Sequence, residues 1–581
     1  MIKGWSKLMI LVVPGLLLLA LLACARAAPT ATPTRAPAAA PTATPTRVVT
    51  PTPAVRVPTG TLNLGLIGFG SDIWLVSHSS GEEKQAMWAV MADRLLDYDL
   101  ATGSKLVNDT GLAESWRLDV TGGSPTVTFK LRKGIPFHKG YGELTSEDLK
   151  FTLETIVVPD AVNPYANSLR GIVGDKVQYV ETPDPYTVVI KPTKPVAGME
   201  AVFGPRGALY AVISKKAWDA AGGREGFRNN PVGTGSFEFV EEARNQRLTF
   251  KAQKTHWRQV PGFETLIIQN VPEEATRIAM IRSGQLDIAA MSARFKNEVA
   301  AASGTRVVTT PFGGEVFVIF GGQFLPSRET YGAKPPYNSP WVGLDEKAKL
   351  VRKAMNLSMD REVIISKILF GEGRKVGVPH LFDVPGAPWY NANWKPYPYD
   401  PAQAKKDLAQ AGYPNGFPIK ASLLSLPYGP STADIMEAVA GSWEKELGLK
   451  VERQLFEYRP VWRQKLADRS HSGWAYAFTQ PQYQEPYLYM QCCFQSKGVV
   501  VHWEFEWVDQ KFAEIEKAFD PDLRFKLTRE VGDWLYDNYI SMPMASLNAL
   551  WAVGPRIAQG WGPTPGITTV NRLEYLPPPT R

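Results

Sequence analysis

The stretch from Asn230 to Ala290 constrains this chain most, because its elements follow one another in an order that selects a fold class. It opens on a tight glycine turn, Pro231-Val-Gly-Thr-Gly235. Two alternating runs follow, Phe237-Glu-Phe-Val240 and Leu248-Thr-Phe-Lys251, and their period of two predicts antiparallel strands. The apolar run Leu266–Val271 leads into a helix signal. Pro272 suits the first helical position, Glu273 and Glu274 face the positive dipole end, Arg282 faces the negative end, and Gly284 supplies a left-handed terminator. Ala275, Ile278, Ala279 and Arg282 recur at helical spacing, which predicts a small, apolar inner face. Leu286–Ala290 then restarts as a strand. A strand–helix–strand unit favours parallel strands in one sheet, so the expected class is α/β.

At these residues the chain resembles the family-five extracellular solute-binding proteins, which feed peptide-type ABC importers. The resemblance is carried by Pro231-Val-Gly-Thr-Gly235, Thr255-His-Trp257 and Gly284-Gln-Leu-Asp-Ile-Ala289, in that order. Two further blocks join them. One runs from Leu112-Ala-Glu-Ser-Trp116 through Leu131-Arg132 and Gly134 to Phe137-His138. The other is Val351-Arg352, Ala354, Asn356 and Asp360-Arg361. The resemblance covers roughly Thr59–Leu576. It implies a bilobal, periplasmic-binding-protein-like α/β fold (type II, cluster C-like) with an extra inserted subdomain. The implied division puts the first lobe at 59–90, 206–312 and 545–581, the inserted subdomain at 91–205, and the second lobe at 313–544.

Length agrees with several domains, since 581 residues exceed what one core supports. Residues 1–23 read as a signal peptide: Lys3 and Lys7 precede the uncharged apolar run Leu8–Leu22, shorter than the ~20 residues of a membrane span. Leu21-Leu-Ala-Cys24 resembles a bacterial lipobox, which implies a lipid on Cys24 and anchoring at the outer face of a bacterial cell membrane. Residues 24–58 form an Ala/Pro/Thr-rich stalk that cannot bury enough apolar surface to offset chain entropy. In extended form at ~3.1 Å per residue it reaches at most about 100 Å. The formal charge of +7 is spread, with no run of Lys/Arg longer than two, so no nucleic-acid partner is expected.

The second half repeats the α/β logic. Thr309–Glu315 reads as a crossing between lobes, followed by a strand over Val316–Phe320, and Ser541–Ala545 as the crossing back. Asp345, Asp360 and Asp400-Pro401 each start a helix, and Ile435–Leu447 is a helix ended by Gly448. From Trp474 to Trp507 aromatic residues crowd, with Pro481, Gln482, Gln484 and Glu485 indicating a loop among them.

Catalytic signatures are missing. The six histidines make no HExxH or other close ligand pair, and there is neither a GxSxG elbow nor a P-loop. No cofactor and no metal are expected. His138, alone in a turn beside Phe137, reads as structural. Cys492-Cys493 stand as either a vicinal disulfide or two buried thiols. The function implied by the resemblance is capture of an organic solute, peptide-like, oligosaccharide or other, by a monomer that delivers it to a membrane permease. A ligand sensor without transport and a secreted hydrolase are the alternative classes. Expected ligand-binding residues are Phe69, Ser71, Glu315, Trp474, Tyr476, Phe478, Tyr483, Glu485 and Trp503. In peptide-binding members a segment resembling Gly-Trp-x-x-Asp pairs a carboxylate with the peptide amine. Here Gly473-Trp-Ala-Tyr-Ala477 has Ala477 at that place, which predicts that free-amine peptides are disfavoured and that flat aromatic faces stack on the solute. Glu485 is the alternative source of the acid.

Overall fold

The computed structural model describes residues 56–581, except 70–73, 79–82, 99–105, 121–124, 162, 164, 193–197, 206, 326–338, 427–430, 482–485, 499, 565–570, 572 and 580–581. Ser71, Tyr483, Glu485 and Cys24, with the leader and the stalk, thus lie outside the described residues.

Eleven strands form one mixed sheet. Its order is Lys450–Glu457, Pro418–Ser425, Trp474–Pro481, Arg306–Phe320, Ser541–Val553, Ile288–Met291, Thr61–Leu66, Thr265–Asn270, Arg247–Ala252 and Phe237–Ala243, with Gly373–Lys375 paired to Ser541–Val553 off this path. The expected parallel unit is present: Thr265–Asn270 and Ile288–Met291 both run parallel to Thr61–Leu66, which is inserted between them. The predicted hairpin pairs Phe237–Ala243 antiparallel to Arg247–Ala252. A separate sheet of four strands, Ala113–Asp119, Thr126–Leu131, Thr187–Ile190 and Val180–Asp184, lies within the 91–205 segment and is flanked in sequence by the helix Ser146–Ile156. That helix begins with the expected capping box between Thr145 and Asp148.

The two long strands, Arg306–Phe320 and Ser541–Val553, hold the sheet together. Their ends at 306–310 and 549–553 pair where Ile288–Met291 is the next neighbour; their other ends at 314–319 and 541–547 lie beside Trp474–Pro481 and Gly373–Lys375. Each half has its own core. Leu64, Trp88, Phe250 and Trp551 belong to the first; Val318, Val351, Trp443 and Met544 fill one face of the second, and Phe317, Tyr476, Phe494 and Trp503 the other.

Between the halves the ladder is broken. Thr310 pairs with Ala549 and Gly314 with Leu547, so Pro311, Phe312 and Gly313 stand opposite Asn548 alone. Pro311 has no N–H to offer the ladder, and Phe312 adopts φ 59, a bulge that bends the strand. The sequence expectation of a crossing at Thr309–Glu315 followed by a strand from Val316 becomes one continuous strand carrying a bulge. Its counterpart on the returning strand is Asn548, a few residues beyond Ser541–Ala545.

Several quoted motifs turn out to be internal fasteners. Gly233 and Gly235 let the turn press on the Met91–Ala92 backbone, where a Cβ on Gly235 would stand 2.5 Å from backbone atoms. Asp93 gathers the segment from His256 to Arg258: Trp257 Nε1 donates to it at 2.7 Å, His256 Nε2 lies at 3.3 Å and Arg258 at 3.0 Å, with Glu574 also on Arg258 at 3.2 Å. Burial by itself would raise the Asp93 pKa, but Arg258 and His256 hold it well below the usual carboxylate range. His138 is buried and its Nε2 donates to the Gly235 carbonyl at 2.8 Å, a structural role. Arg352 and Arg361 donate to backbone carbonyls, including Asn538 and Pro543, and so lock the helix Glu346–Leu357 beside the returning strand.

One helix face differs from its sequence reading. Glu274–Arg282 has Glu273 as N-cap, with Pro272 one residue outside, and Gly284 takes the expected positive φ of 75. The buried side chains are Arg277, Ile278 and Ile281, while Ala275, Ala279 and Arg282 are exposed. Arg277 can turn inward because its guanidinium donates to the carbonyls of Val271, Pro272 and Ala290.

Candidate functional site

The strand Trp474–Pro481 alternates between two layers. Ala475 and Ala477 enter the apolar layer shared with Val318, Val439 and Trp443, under the helix Thr432–Leu447. Trp474, Tyr476 and Phe478 enter the opposite, aromatic layer. Ala477 therefore faces away from the aromatic side, and a carboxylate at this position would be buried among apolar side chains.

The aromatic layer is dense and largely self-satisfied. Trp474 packs edge-on to Phe456 and Trp462 at 5.2 and 5.8 Å, with Lys420 Nζ 5.4 Å from its ring centroid. Tyr476 is fully buried and its hydroxyl is 2.6 Å from His502 Nδ1. Phe478 meets His502 at 4.8 Å and Phe317 at 6.2 Å. Trp503 lies against Phe494 at 5.0 Å and its indole N–H has no partner. Phe69 belongs to the core of the first half. Half of the chain's six histidines, scattered in sequence, gather here: His380, His471 and His502 are all buried, and desolvation pushes each below its ordinary pKa. They are neutral rings packed among aromatics. Among the described residues no group of three or more His, Cys, Asp or Glu is placed to hold a metal ion. Cys493, buried at the end of the helix Pro486–Cys493, is disulfide-bonded.

At one end of this aromatic layer, beside the bulge, the chemistry changes. Glu315 pairs in register with Gln480 on one side and with Ser546 on the other, and Ser546 pairs with Arg374. This is a polar row across four strands. Glu315 is 1% exposed and Gln480 fully buried. Neither Glu315 oxygen, nor the Gln480 amide oxygen or nitrogen, meets a partner at hydrogen-bonding geometry. Gly314 is what allows the approach of the two strands, since a Cβ there would stand 2.8 Å from the Gln480 carbonyl. The segment after Gly373–Lys375 folds over the row: Asp383 is buried, 3.3 Å from Arg374, and accepts the Gly377 N–H at 2.7 Å. His380 and Phe382 in this segment have φ of 70 and 53, costly for non-glycine residues and concentrated at functional sites as a rule. Burial first, and the Asp383 carboxylate second, push the Glu315 pKa up to about 8; Arg374 and the backbone amides of Phe382 and Asp383 pull less strongly the other way.

Of this row the sequence reading singles out Glu315, while Gln480, Arg374 and Asp383 are not among its candidates. Gln480 continues the alternation Trp474, Tyr476, Phe478 as its single polar member, and that pattern was the available signal. Arg374 and Asp383 carried none, because a three-strand register is what brings them to Glu315.

Comparison with known proteins agrees with this architecture. The sequence is 29% identical to heme-binding protein A of Haemophilus influenzae over 60% of this chain and 62% of that one, so the chain spans under two thirds of that relative. It is 27% identical to the dipeptide-binding protein of Escherichia coli over 65% of this chain and 69% of the relative. The fold superposes on the ABC transporter substrate-binding protein CtaP of Listeria monocytogenes with a TM-score of 0.73 at 18% identity, covering 90% of this chain and 99% of that one. Residues 109–498, well over half of the chain, match the model of bacterial extracellular solute-binding proteins, family 5, middle region, and the chain belongs to that family.

Proposed function

We propose that this protein is the extracytoplasmic substrate-binding subunit of an ABC importer. A lipid on Cys24 holds it to the outer face of a bacterial membrane, and the Ala/Pro/Thr-rich stalk lets the folded body stand away from that surface. The lobes divide as 59–90, 206–312 and 545–581 against 313–544, with the 91–205 subdomain inserted. They flex at Pro311–Gly313 and Asn548 and close on one organic solute, which the monomer passes to a membrane permease. It binds and releases; it catalyses no reaction.

The bulged pair of long strands carries this reading. Two sheet halves with separate cores meet at the first of two register shifts between the long strands, where three residues face Asn548 alone, and such an irregularity between separate cores is suited to a hinge. The polar row beside the bulge supplies the solute contacts, with Phe478 and Trp474 from the aromatic layer next to it. Solute that touches both halves only in the closed form shifts the population toward closure.

The test is to purify the chain without denaturation, identify by mass spectrometry what it carries, strip it and add the compound back. Saturation at ~100 times the dissociation constant should stabilise the protein by about 2.7 kcal/mol. Small-angle scattering should record a smaller radius with the compound than without. A protein that carries nothing, and that no compound of a broad solute library stabilises or contracts, would refute it.

A further inference from the structure

We propose that Glu315 and Gln480 form a receptor for a positively charged group of the solute, an ammonium or guanidinium, so that the cargo is a cationic compound. The inference rests on the solute-capture reading above and narrows it.

Both side chains are buried, and both sit on the same face of directly paired positions. Neither Gln480 polar atom has a partner, and the backbone amides of Phe382 and Asp383 lie near the Glu315 carboxyl without reaching hydrogen-bonding geometry. Directly opposite residues bring their Cβ atoms to about 5 Å. Buried polar groups without well-formed hydrogen bonds destabilise the fold that keeps them, and a partner from outside removes that penalty. Their acceptors are the two carboxyl oxygens and the Gln480 carbonyl. The surroundings choose the sign of that partner. Asp383 lies close enough to raise the Glu315 pKa, and its effect exceeds that of the opposing Arg374. Arg374 itself is engaged with Asp383 at 3.3 Å and over the Phe312 ring at 5.5 Å. The strand neighbours Gln480 and Ser546 are uncharged, and the adjacent His380 is held neutral. Two carboxyl groups, Glu315 and Asp383, thus stand beside one guanidinium, Arg374, already paired with Asp383, and this excess of acid favours a cation over an anion. Phe317 and Phe478, next on the same faces, offer ring surfaces that also favour a cation.

Glu315 is mostly a neutral acid at pH 7, and a cation seated against it favours the carboxylate. Binding thus releases a proton from Glu315 to solvent, and affinity rises with pH until the free protein is itself ionised, at about pH 8. This reverses the expectation drawn from Ala477, whose side chain faces the other layer.

The experiment uses matched probes: putrescine, spermidine, arginine and free-amine tetra-alanine, against N,N′-diacetylputrescine, N-acetylated tetra-alanine and neutral oligosaccharides. Titration calorimetry and thermal shifts are run on the stripped full-length protein and on Glu315→Gln and Gln480→Leu, with circular dichroism to confirm folding. At least one amine is expected to bind tenfold or more tightly than its acetylated counterpart. Glu315→Gln should abolish that preference, and the wild-type affinity should rise several-fold from pH 6 to pH 8 with a heat that depends on the buffer. Equal binding of the amine and blocked forms, or a preference that survives Glu315→Gln, overturns the receptor. If only neutral probes bind, the receptor falls while solute capture stands; if neither probes nor any co-purified compound bind, both fall.

Discussion

Glu372 fastens the two halves at the bulge, and its removal should loosen the arrangement in which Glu315 is buried. Its carboxylate pairs with Lys296, on the short helix Lys296–Ala301 of the first half, and accepts at 2.8 Å from Asn548, the residue facing the bulge. The Glu372 side chain is 7% exposed and that of Lys296 40%. Solvent screening on the lysine side limits the ion pair to about 1 kcal/mol. Glu372→Gln keeps an acceptor for Asn548 and removes only the charge, so the ratio of open to closed molecules should rise about fivefold. Glu372→Ala also deletes the charge-assisted hydrogen bond, for a total of about 2–3 kcal/mol. Single-molecule energy transfer between dyes on cysteines replacing the exposed Lys216 and Lys526 would report the populations directly. Lys296→Gln should reproduce the effect of Glu372→Gln, and the double variant should add little. Raising salt from 50 to 500 mM should mimic part of it in the wild type. Unchanged distributions in both single variants, or effects that simply add, would refute the fastening role.

Asp93→Asn should destabilise the first half by about 3–5 kcal/mol at pH 7, because it leaves Arg258 buried with Glu574 as its remaining ion partner. The Asp93 pKa is depressed, so this stabilisation is present above the ordinary carboxylate value and lost as pH falls below it; denaturant curves should show the gap between wild type and variant closing on acidification. Cys24→Ser should release the protein from membranes while leaving solute binding intact, as read by fractionation and calorimetry. Glu315→Leu should stabilise the solute-free protein by about 1–3 kcal/mol in chemical denaturation, the opposite sign from an ordinary core substitution, and abolish cation binding.

What was legible in the sequence follows from how local each determinant is. Helix starts at Thr145, Asp345, Asp360 and Asp400 were readable because a cap is a contact between residues a few positions apart, and each was found with its side chain on the expected backbone or partner. The parallel unit from Thr265 to Met291 was readable from element order. The inner face of Glu274–Arg282 was misread because Arg277 finds three carbonyls that no helical periodicity reveals. The crossing between halves was placed close to the bulge, since Pro311 and Gly313 are local signals, but its partner Asn548 depends on register across more than two hundred residues. Arg374 comes beside Glu315 only through that same returning strand, where both pair with Ser546.

That division has a consequence for cargo. Asp93 with Trp257 and Arg258, and Arg352 and Arg361 with their carbonyls, are polar groups with partners inside the protein, and Trp257, Arg352 and Arg361 are among the residues that carry the family resemblance. Glu315 and Gln480 lie outside those blocks and are buried without a partner at hydrogen-bonding geometry. A satisfied network stabilises whether or not solute is present, whereas an unsatisfied pair lowers stability until something fills it. The names of two relatives record cargo as different as heme and dipeptides. On the receptor proposed above, the choice of cargo in this chain falls to Glu315 and Gln480, whose acidic, aromatic-flanked setting would select by charge.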